Sequence, residues 1–346
     1  MSEEKRELFV GIDLHKRRWH VTVRDADVEL FSGSIAGNWE SLRWILQRYR
    51  GHRIQAVYEA GYFAFWLYDC LMDYGVECIV TPPSLVPQEY GNRVKTDRRD
   101  SRKLAALLAK GMLKRVWVPT QQQRYHRQVV RRRRQLMRDR VRTQARVKSE
   151  LCFYGIDFPD SRGPWSRTYY ENLRRMRFGN RWMQQSFNRL LDEYAFLSKQ
   201  IEKQMKLIRQ LAETPHYRNR VKILMSVPGI GLLAAMELLV ELQDVSRFRR
   251  EQELAAYVGL TPSQYSTADK IRMGHITRAG KSGLRAILVE ASWRLITIDM
   301  VMRKRYDRIK VRSGGKRAIV AIARMLLLRM RRMLLDECPY ALGSLG

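Results

Sequence analysis

Four acidic residues stand where a chain could bind divalent metal ions. Asp13 ends the hydrophobic run ELFVGID, and Glu59 closes the run IQAVYEA. Asp97 and Asp100 are three residues apart in VKTDRRDSRKLAALLAKG, so on a helix they project from nearly one face. Mg²⁺ prefers hard carboxylate oxygens, and two such ions about 4 Å apart can hold the attacking and leaving oxygens of a phosphoryl transfer. The four acids therefore predict metal-dependent phosphodiester chemistry.

Each of these acids also has a structural interpretation. Asp97 could be a helix N-cap, and Asp100 a first-turn acid that the helix dipole favours. Asp13 could cap a turn at a strand end, and Glu59 could pair with one of the many arginines. Their joint placement in a strongly basic chain, after two strands and at a helix start, favours the metal site.

Two adjacent hydroxyls, Ser266 and Thr267, precede a basic segment in YSTADKIRMGHITRAGKSG. A neutral hydroxyl is a poor nucleophile and needs a metal, a general base or a favourable field. The cations that could supply the field and hold a phosphate are Lys270, Arg272, Arg278 and Lys281. In the alternative interpretation Ser266 or Thr267 caps a turn or the following helix. An ATP-binding P-loop is excluded, because its spacing requires Gly where His275 stands.

The first third of the chain mixes strand and helix patterns. Three β-rich runs come first: ELFVGID, WHVTVRD and VELFSGSI. A helix, a strand, a helix and a strand are then predicted in WESLRWILQRY, IQAVYEA, YFAFWLYDCLMDYG and VECIVTPP. This order is the α/β layout of a ribonuclease H-like domain, in which the first and fourth strands are neighbours. Asp13 and Glu59 would then lie at one edge of the sheet.

The middle of the chain is predicted to form two long helices between Thr120 and about Glu213, joined by an aromatic, proline-bearing turn. Between Arg124 and Lys148 lie eleven Lys or Arg and one acid, Asp139. Such near-unopposed charge favours a bound phosphate backbone, and the alternative is a solvated charged helix. The predicted nucleic-acid contacts here and beside the acids are Lys95, Arg131, Arg132, Arg133, Arg134 and Arg138.

The last third begins with ILMSVPGIGLLAAMELLVEL, two apolar helical segments around a Pro-Gly-x-Gly turn. Gly229 and Gly231 in this turn resemble a helix-hairpin-helix phosphate contact, and a tight helix–helix turn is the equal alternative. Further amphipathic helices follow. We therefore expect an α/β domain over residues 1–118, an all-α basic hairpin over 119–213 and a helical C-terminal domain over 214–346 that carries the hydroxyl-bearing loop.

The charge of the chain points to a polyanionic partner. Lys and Arg number 65 and Asp and Glu 35, a formal net charge of +30, which favours nucleic acid. No apolar run approaches the roughly 20 residues that a membrane span needs, and the N-terminus lacks the apolar stretch of a signal peptide. The four cysteines form no C-x-x-C pair, so neither a zinc knuckle nor a disulfide framework is indicated. We expect a cytoplasmic, nucleoid-associated protein without membrane contact.

Two groups of segments resemble the DEDD-type insertion-sequence transposases related to the Piv invertase, a family that includes the bridge-RNA-guided recombinases. They are GIDLHK, YEAGYF and VKTDRRDSRKLA, and then SVPGIG and YVGLTPSQYSTADKIRMGHITRAGKSGLRAILVEASW. The resemblance implies a RuvC-like domain with Asp13, Glu59, Asp97 and Asp100 as its acidic Mg²⁺ tetrad. It also implies a serine that links covalently to DNA in a composite site shared within a homo-oligomer, a dimer to tetramer. A structured noncoding guide RNA would choose the donor and target DNA.

One departure from the family pattern concerns the nucleophile. The family often shows Ser-Gly after the Tyr segment, and strict alignment lays that pair on Thr267 and Ala268. Either Ser266 takes the role one position earlier, or Thr267 serves, or the protein no longer recombines DNA. Two other functions therefore stay open: a nuclease on branched DNA in which the acids activate water, and a nucleic-acid-binding protein without catalysis.

Overall fold

The computed structural model describes residues 6–87, 96–159, 163, 165–267, 270–277 and 280–343, with the backbone alone for 264–267 and 270–273. Contacts between Cα atoms divide the chain into two compact units, Met1–Pro119 and Thr120–Gly346. The three-domain division expected from the sequence stays a prediction.

The first unit is built on a mixed β-sheet. Its strands are β1 (Glu7–Leu14), β2 (Arg18–Arg24), β3 (Glu29–Ala36), β4 (Arg53–Glu59) and β5 (Glu77–Thr81). They form a five-stranded sheet in the order β3-β2-β1-β4-β5. β1 is antiparallel to β2 and parallel to β4, so the predicted adjacency of the first and fourth strands is confirmed. This sheet is compatible with a ribonuclease H-like domain.

Three helices cover the sheet: α1 (Trp39–Gln47), α2 (Trp66–Asp73) and α3 (Asp97–Ala109). Alternate residues of β1 enter different apolar clusters, since Ile12 packs with α1 and α2 while Phe9 packs with α3. On β4, Val57 belongs to the α3 cluster. Side chains alternate between the two faces of a strand. Asp13 and Glu59 are therefore in phase with the α3 face.

Helix α3 approaches β1 closely because Gly11 has no side chain. A Cβ atom at Gly11 would lie 2.1 Å from the carbonyl oxygen of Ser101 and 2.6 Å from the backbone nitrogen of Ala105. A second contact ties α3 to β2, where the buried hydroxyls of Thr22 and Ser101 form a 2.9 Å hydrogen bond. These contacts set the position of the helix that begins with Asp97.

The second unit begins with the helices α4 (Gln121–Phe153), α5 (Arg167–Arg175) and α6 (Arg181–Ala212). Two apolar clusters show that α4 and α6 pack antiparallel, because Val147 lies with Phe187 and Leu136 with Leu197. The two long helices thus have the predicted form. The connection between them was predicted as a turn, and it contains the helix α5 instead, whose Tyr169 is buried in one of these clusters.

The rest of this unit is helical around one core, with a single hairpin in the described part of the chain. Its helices are α7 (Pro215–Met225), α8 (Leu232–Leu242), α9 (Glu251–Val258), α10 (Ser282–Ile298), α11 (Met300–Ser313) and α12 (Gly315–Leu335). The antiparallel strands β6 (Pro262–Thr267) and β7 (Lys270–Ile276) form the hairpin. The prediction of a loop for the hydroxyl-bearing segment is therefore wrong. None of the helices in the described ranges has the length and apolar character needed to cross a membrane.

Candidate metal centre and nucleic-acid interface

Two of the four predicted acids meet at a histidine. The Nε2 atom of His15 lies 3.2 Å from Oδ2 of Asp13 and 3.4 Å from Oδ1 of Asp97. One ligand atom from each of these three residues lies within 4.8 Å of the other two. In the described ranges this is the group of histidine, cysteine and acidic side chains whose geometry suits a metal ion. The site joins the end of β1 to the first turn of α3.

The electrostatics of Asp13 follow from this crowding. Burial raises the pKa of its carboxyl group, and the charges of Asp97 and Asp100 raise it further, while His15 lowers it. The net pKa shift is upward. The first unit thus holds several carboxylates close together at a cost, and a divalent cation would relieve their repulsion.

The start of α3 decides one alternative raised by the sequence. The N-cap of this helix is Thr96, whose hydroxyl accepts a hydrogen bond from the backbone nitrogen of Arg99 at 3.4 Å. Asp97 therefore does not serve as the N-cap. It occupies the first helical position with its side chain 64% exposed, which leaves its oxygens open to a ligand.

Glu59 and Asp100 lie close to this site but outside the group of three ligand atoms found in the described residues. Glu59 directly follows Tyr58, which pairs with Ile12, so the parallel strands β1 and β4 bring Asp13 and Glu59 to the same edge. Asp100 lies in the first turn of α3, and its charge acts on Asp13. Their roles as metal ligands stay predictions.

Sequence reasoning missed His15. It occurs in GIDLHK, two residues after Asp13, but no role was predicted for it. The signal was available, because residues two apart near a strand end lie toward the same side of the sheet. An imidazole nitrogen would extend the site from oxygen ligands alone to a set that also suits transition metals.

The predicted nucleophiles lie at the end of β6. Ser266 pairs with Ile271, and Thr267 pairs with Lys270, in the antiparallel hairpin. The N-cap position of the following helix, α10, is occupied by Lys281. The geometry of the two hydroxyls lies outside the described side chains, as do those of Lys270 and Arg272. Lys95 and Arg278 lie outside the described residues altogether.

Acidic residues of another helix neutralise part of the positive charge of the basic helix α4. Arg131 donates to both carboxylate oxygens of Glu241 on α8, at 2.6 and 2.9 Å. One turn further along, Arg134 forms an ion pair with Glu237 on the same helix α8. Both glutamates are buried. These two arginines therefore join α4 to α8, whereas Arg132 and Arg138 are exposed and remain available to a polyanion.

Replacing Glu241 with Gln is expected to destabilise the fold strongly at neutral pH. Burial raises the pKa of Glu241, but its hydrogen bond to Arg131 and the charges of Arg131, Arg127 and Lys281 outweigh this and lower it. Removing one partner of a fully buried pair costs about 3–5 kcal/mol, and because the Arg131 side chain is 41% exposed we expect the lower end, about 3 kcal/mol. The free energy of unfolding, measured by urea titration, should fall by this amount in Glu241→Gln.

The same substitution should change the pH dependence of stability. Because the folded pKa is lowered, the carboxylate stabilises the fold above the unfolded value of about 4.3 and loses this effect as pH falls through the folded pKa. The loss of stability between pH 5 and pH 3 should therefore be smaller in Glu241→Gln than in the wild type. The exposed Glu290 on α10 provides the control Glu290→Gln. An identical pH profile for Glu241→Gln and wild type would contradict this account.

The Pro-Gly-x-Gly segment connects α7 and α8. Gly229 has a φ of 88°, and a Cβ atom there would lie 2.9 Å from Cβ of Arg294 on α10. Both features favour the tight helix–helix turn for Gly229. Gly231 is the N-cap of α8 with open space around it, so a phosphate contact there stays a prediction.

Two models of protein families match parts of this chain. Residues 221–307 match the model described as Transposase IS116/IS110/IS902 family. Residues 10–156 match a DEDD model of the IS110 type, described as Transposase. The DEDD match contains all four predicted acids, and the first match contains Ser266 and Thr267.

Curated proteins are similar over most of the chain. A Sinorhizobium fredii protein named as a transposase is 30% identical over 339 residues, which are 95% of this chain and 82% of the relative. The transposase for insertion sequence element IS1533 of Leptospira borgpetersenii is 26% identical over 95% of this chain and 96% of its own length. The transposase for insertion sequence element IS1111A of Coxiella burnetii is 24% identical over 71% of this chain and 67% of its own. This chain belongs to the IS110/IS116/IS902 family of insertion-sequence transposases.

Proposed function

We propose that this chain is the Mg²⁺-dependent recombinase of a mobile element, which cuts and rejoins DNA through a hydroxyl-linked covalent intermediate. The observation that carries the proposal is the convergence of Asp13 and Asp97 on His15, with the end of β4 at the same sheet edge. Membership of a transposase family supports DNA as the substrate. The large positive charge of the chain supports it independently.

The residues present fit a divalent cation, because two carboxylates and an imidazole offer ligand atoms within 4.8 Å of one another. Asp13, Glu59, Asp97 and Asp100 would hold the ion, with His15 beside them. When bound, Mg²⁺ stabilises the charge that develops on the attacking and leaving oxygens of a phosphoryl transfer. The protein keeps the mutually repelling carboxylates in place through the close packing of α3 on β1.

The reaction we propose is a transesterification by Ser266 or Thr267. The hydroxyl oxygen forms a bond to phosphorus, one bridging P–O bond of the DNA breaks, and the released strand end takes the proton that the hydroxyl loses. One phosphodiester replaces another, so rejoining the strand needs no nucleotide cofactor. The acids lie in the first unit and the hydroxyls in the second. We propose that the composite site is shared between protomers of a dimer to tetramer.

Replacing the hydroxyls one at a time tests the covalent step. If Ser266 is the nucleophile, Ser266→Ala should abolish the covalent protein–DNA adduct that survives denaturation, while Thr267→Ala should retain it. The reverse result would identify Thr267. The adduct is measured by mobility of labelled DNA on a denaturing protein gel.

The double variant, with both Ser266→Ala and Thr267→Ala, tests whether any hydroxyl of this pair is the nucleophile. Recombination at the wild-type rate after both substitutions would exclude a hydroxyl nucleophile. Metal-dependent cleavage of branched DNA without any adduct would then favour the nuclease function, with water as the nucleophile. DNA binding without cleavage in the wild type would favour the non-catalytic function.

We also propose that a structured noncoding RNA guides the choice of donor and target DNA. The exposed cations of α4, including Arg132 and Arg138, support a second polyanionic ligand. Sequencing the nucleic acid that copurifies with the chain, together with the noncoding DNA flanking its gene, tests this. A guide is expected as one discrete RNA that maps to that flank. RNA of random origin would contradict it.

A further inference from the structure

A basic cavity of about 270 Å³ lies in the second unit, outside the proposed catalytic residues of the acid cluster. It opens between α4, α8 and the start of α10. Its charged lining comprises Arg131, Arg134, Arg138, Lys281 and Glu241. Pockets for drug-sized ligands measure roughly 300–1,000 Å³, so this one suits a single chemical group.

Positive charge in this cavity exceeds the negative charge that could neutralise it. Three cations approach the one carboxylate of Glu241: Arg131 at 2.6 Å, and Arg127 and Lys281 each at 3.6 Å. Arg138, at the cavity's edge, has no ion pair among the described side chains. Crowded cations of this kind attract an anion, and the partly enclosed wall strengthens the attraction relative to open water.

The ion pairs also build a rigid frame around the cavity. Glu241 and Glu237 hold the guanidinium groups of Arg131 and Arg134 in fixed orientations. Gly283 allows Arg134 to lie against the first turn of α10, since a Cβ atom there would be 2.5 Å from its Nη1. Held in this way, the cations need little reordering when a ligand binds.

We propose that this cavity binds one phosphate group of a nucleic-acid backbone, with Arg138 and Lys281 as the contacting cations. The cavity has room for a phosphate and the complementary charge, and guanidinium groups recognise phosphate oxygens by directed hydrogen bonds. This inference rests on the proposed function, which supplies the nucleic acid. It gives the basic helix one defined contact in addition to diffuse attraction.

The first test measures the salt dependence of binding to a duplex DNA by the full chain in EDTA. Arg138→Gln should make the negative slope of log K against log salt concentration less steep by about 0.9, the value for one duplex phosphate contact. Lys148→Gln removes one charge from an exposed position of the same helix outside the cavity. It should leave the slope near that of the wild type. Equal slopes for Arg138→Gln and Lys148→Gln would overturn the proposal.

A second pair of variants avoids truncating any cation. Gln135 lines the cavity, and Gln128 is an exposed residue of α4 outside it. Gln135→Glu places a negative charge beside the phosphate and should weaken duplex binding roughly five- to tenfold at low salt. Gln128→Glu should not. An equal effect of the two substitutions would again count against a defined phosphate site.

Inorganic pyrophosphate separates a backbone phosphate from a free one. The contrary result is that pyrophosphate raises the melting temperature of the wild type while the cavity substitutions leave duplex affinity unchanged. In that result the site binds a free phosphate compound and the proposal is wrong. Because binding is measured in EDTA, failure of the metal chemistry would leave these results unchanged. Asp13→Asn should accordingly keep the wild-type salt slope.

Discussion

Asp13→Asn is expected to abolish metal-dependent DNA cleavage by this transposase, lowering the rate by at least about a thousandfold. A metal-held phosphoryl transfer gains several kcal/mol of charge stabilisation, and each 1.36 kcal/mol is about a tenfold change in rate. Asn retains the shape of Asp13 but lacks the charge that would hold a cation in the proposed site. Glu59→Gln, Asp97→Asn and Asp100→Asn should cause losses of the same kind.

Although Asp13→Asn should lose cleavage activity, its stability without metal should not fall. The pKa of Asp13 is raised by burial and by neighbouring acids, so its charged form is unfavourable in the folded protein. In EDTA the melting temperature of Asp13→Asn should therefore equal or exceed that of the wild type. Added Mg²⁺ or Mn²⁺ should raise the melting temperature of the wild type alone, because a ligand stabilises the state that binds it.

Asp27→Asn provides the matched control, since Asp27 is an exposed acid of the same unit, in the turn between β2 and β3. It should cleave DNA and respond to metal as the wild type does. Cleavage by Asp13→Asn at the wild-type rate, or by the wild type in excess EDTA, would exclude the proposed metal site.

Gly11→Ala is expected to damage both the fold and the metal site through one added methyl group. The nearest atoms to the new Cβ would be backbone atoms of α3, at 2.1 and 2.6 Å. Backbone atoms cannot relieve the clash by a change of rotamer, as a side chain can. Helix α3 must therefore shift away from β1. Overpacking of this kind costs about 1–3 kcal/mol or more, measurable as a lower free energy of unfolding in urea.

The shift should also separate Asp97 and Asp100 from Asp13. A displacement of about 1 Å in a catalytic site can cost about a hundredfold in rate. The metal-dependent rise in melting temperature should shrink in parallel, which a purely global loss of stability would not produce.

Gly61→Ala is the control for this prediction. Gly61 lies in the same unit with an ordinary backbone φ, and its Cβ would be 3.9 Å from the nearest atom, the carbonyl oxygen of Glu59. This variant should keep wild-type stability and metal response. Wild-type metal binding in Gly11→Ala would mean that the close packing of α3 does not position the acids.

The order of strands and helices in the first unit could be predicted from the sequence, because the periods of 2 and 3.6 residues are local properties. The placement of Asp13 and Glu59 at one edge of the sheet followed from that order, since neighbouring parallel strands end at the same edge. The local pattern was ambiguous elsewhere. The helix α5 has nine residues and the strands β6 and β7 have six and seven, so each pattern spans too few residues to be distinctive.

At the candidate metal centre, the local sequence pattern did not decide the role of each residue. A carboxylate at the start of a helix predicts either a cap or a ligand, and the sequence alone left both open for Asp97. The backbone nitrogen of Arg99 bonds to Thr96 instead, so Asp97 is not the N-cap, and its role as a ligand stays a prediction. His15 was overlooked because its position two residues after Asp13 was not interpreted as placing both side chains on the same side of the sheet.

By itself, the sequence predicted the class of chemistry and a polyanionic partner, and it determined the α/β layout of the first unit, because residue type, net charge and periodicity are written along the chain. Only the tertiary structure decided which charges meet. Arg131 and Glu241 are 110 residues apart, and no local pattern selects this pair among 65 basic and 35 acidic residues. The same holds for Gly11, whose need for an absent side chain arises from the backbone of a helix about 90 residues later. Contacts of this kind depend on distances that exist only after folding, and the Gly11 contact holds the helix of Asp97 and Asp100 against β1, which carries Asp13.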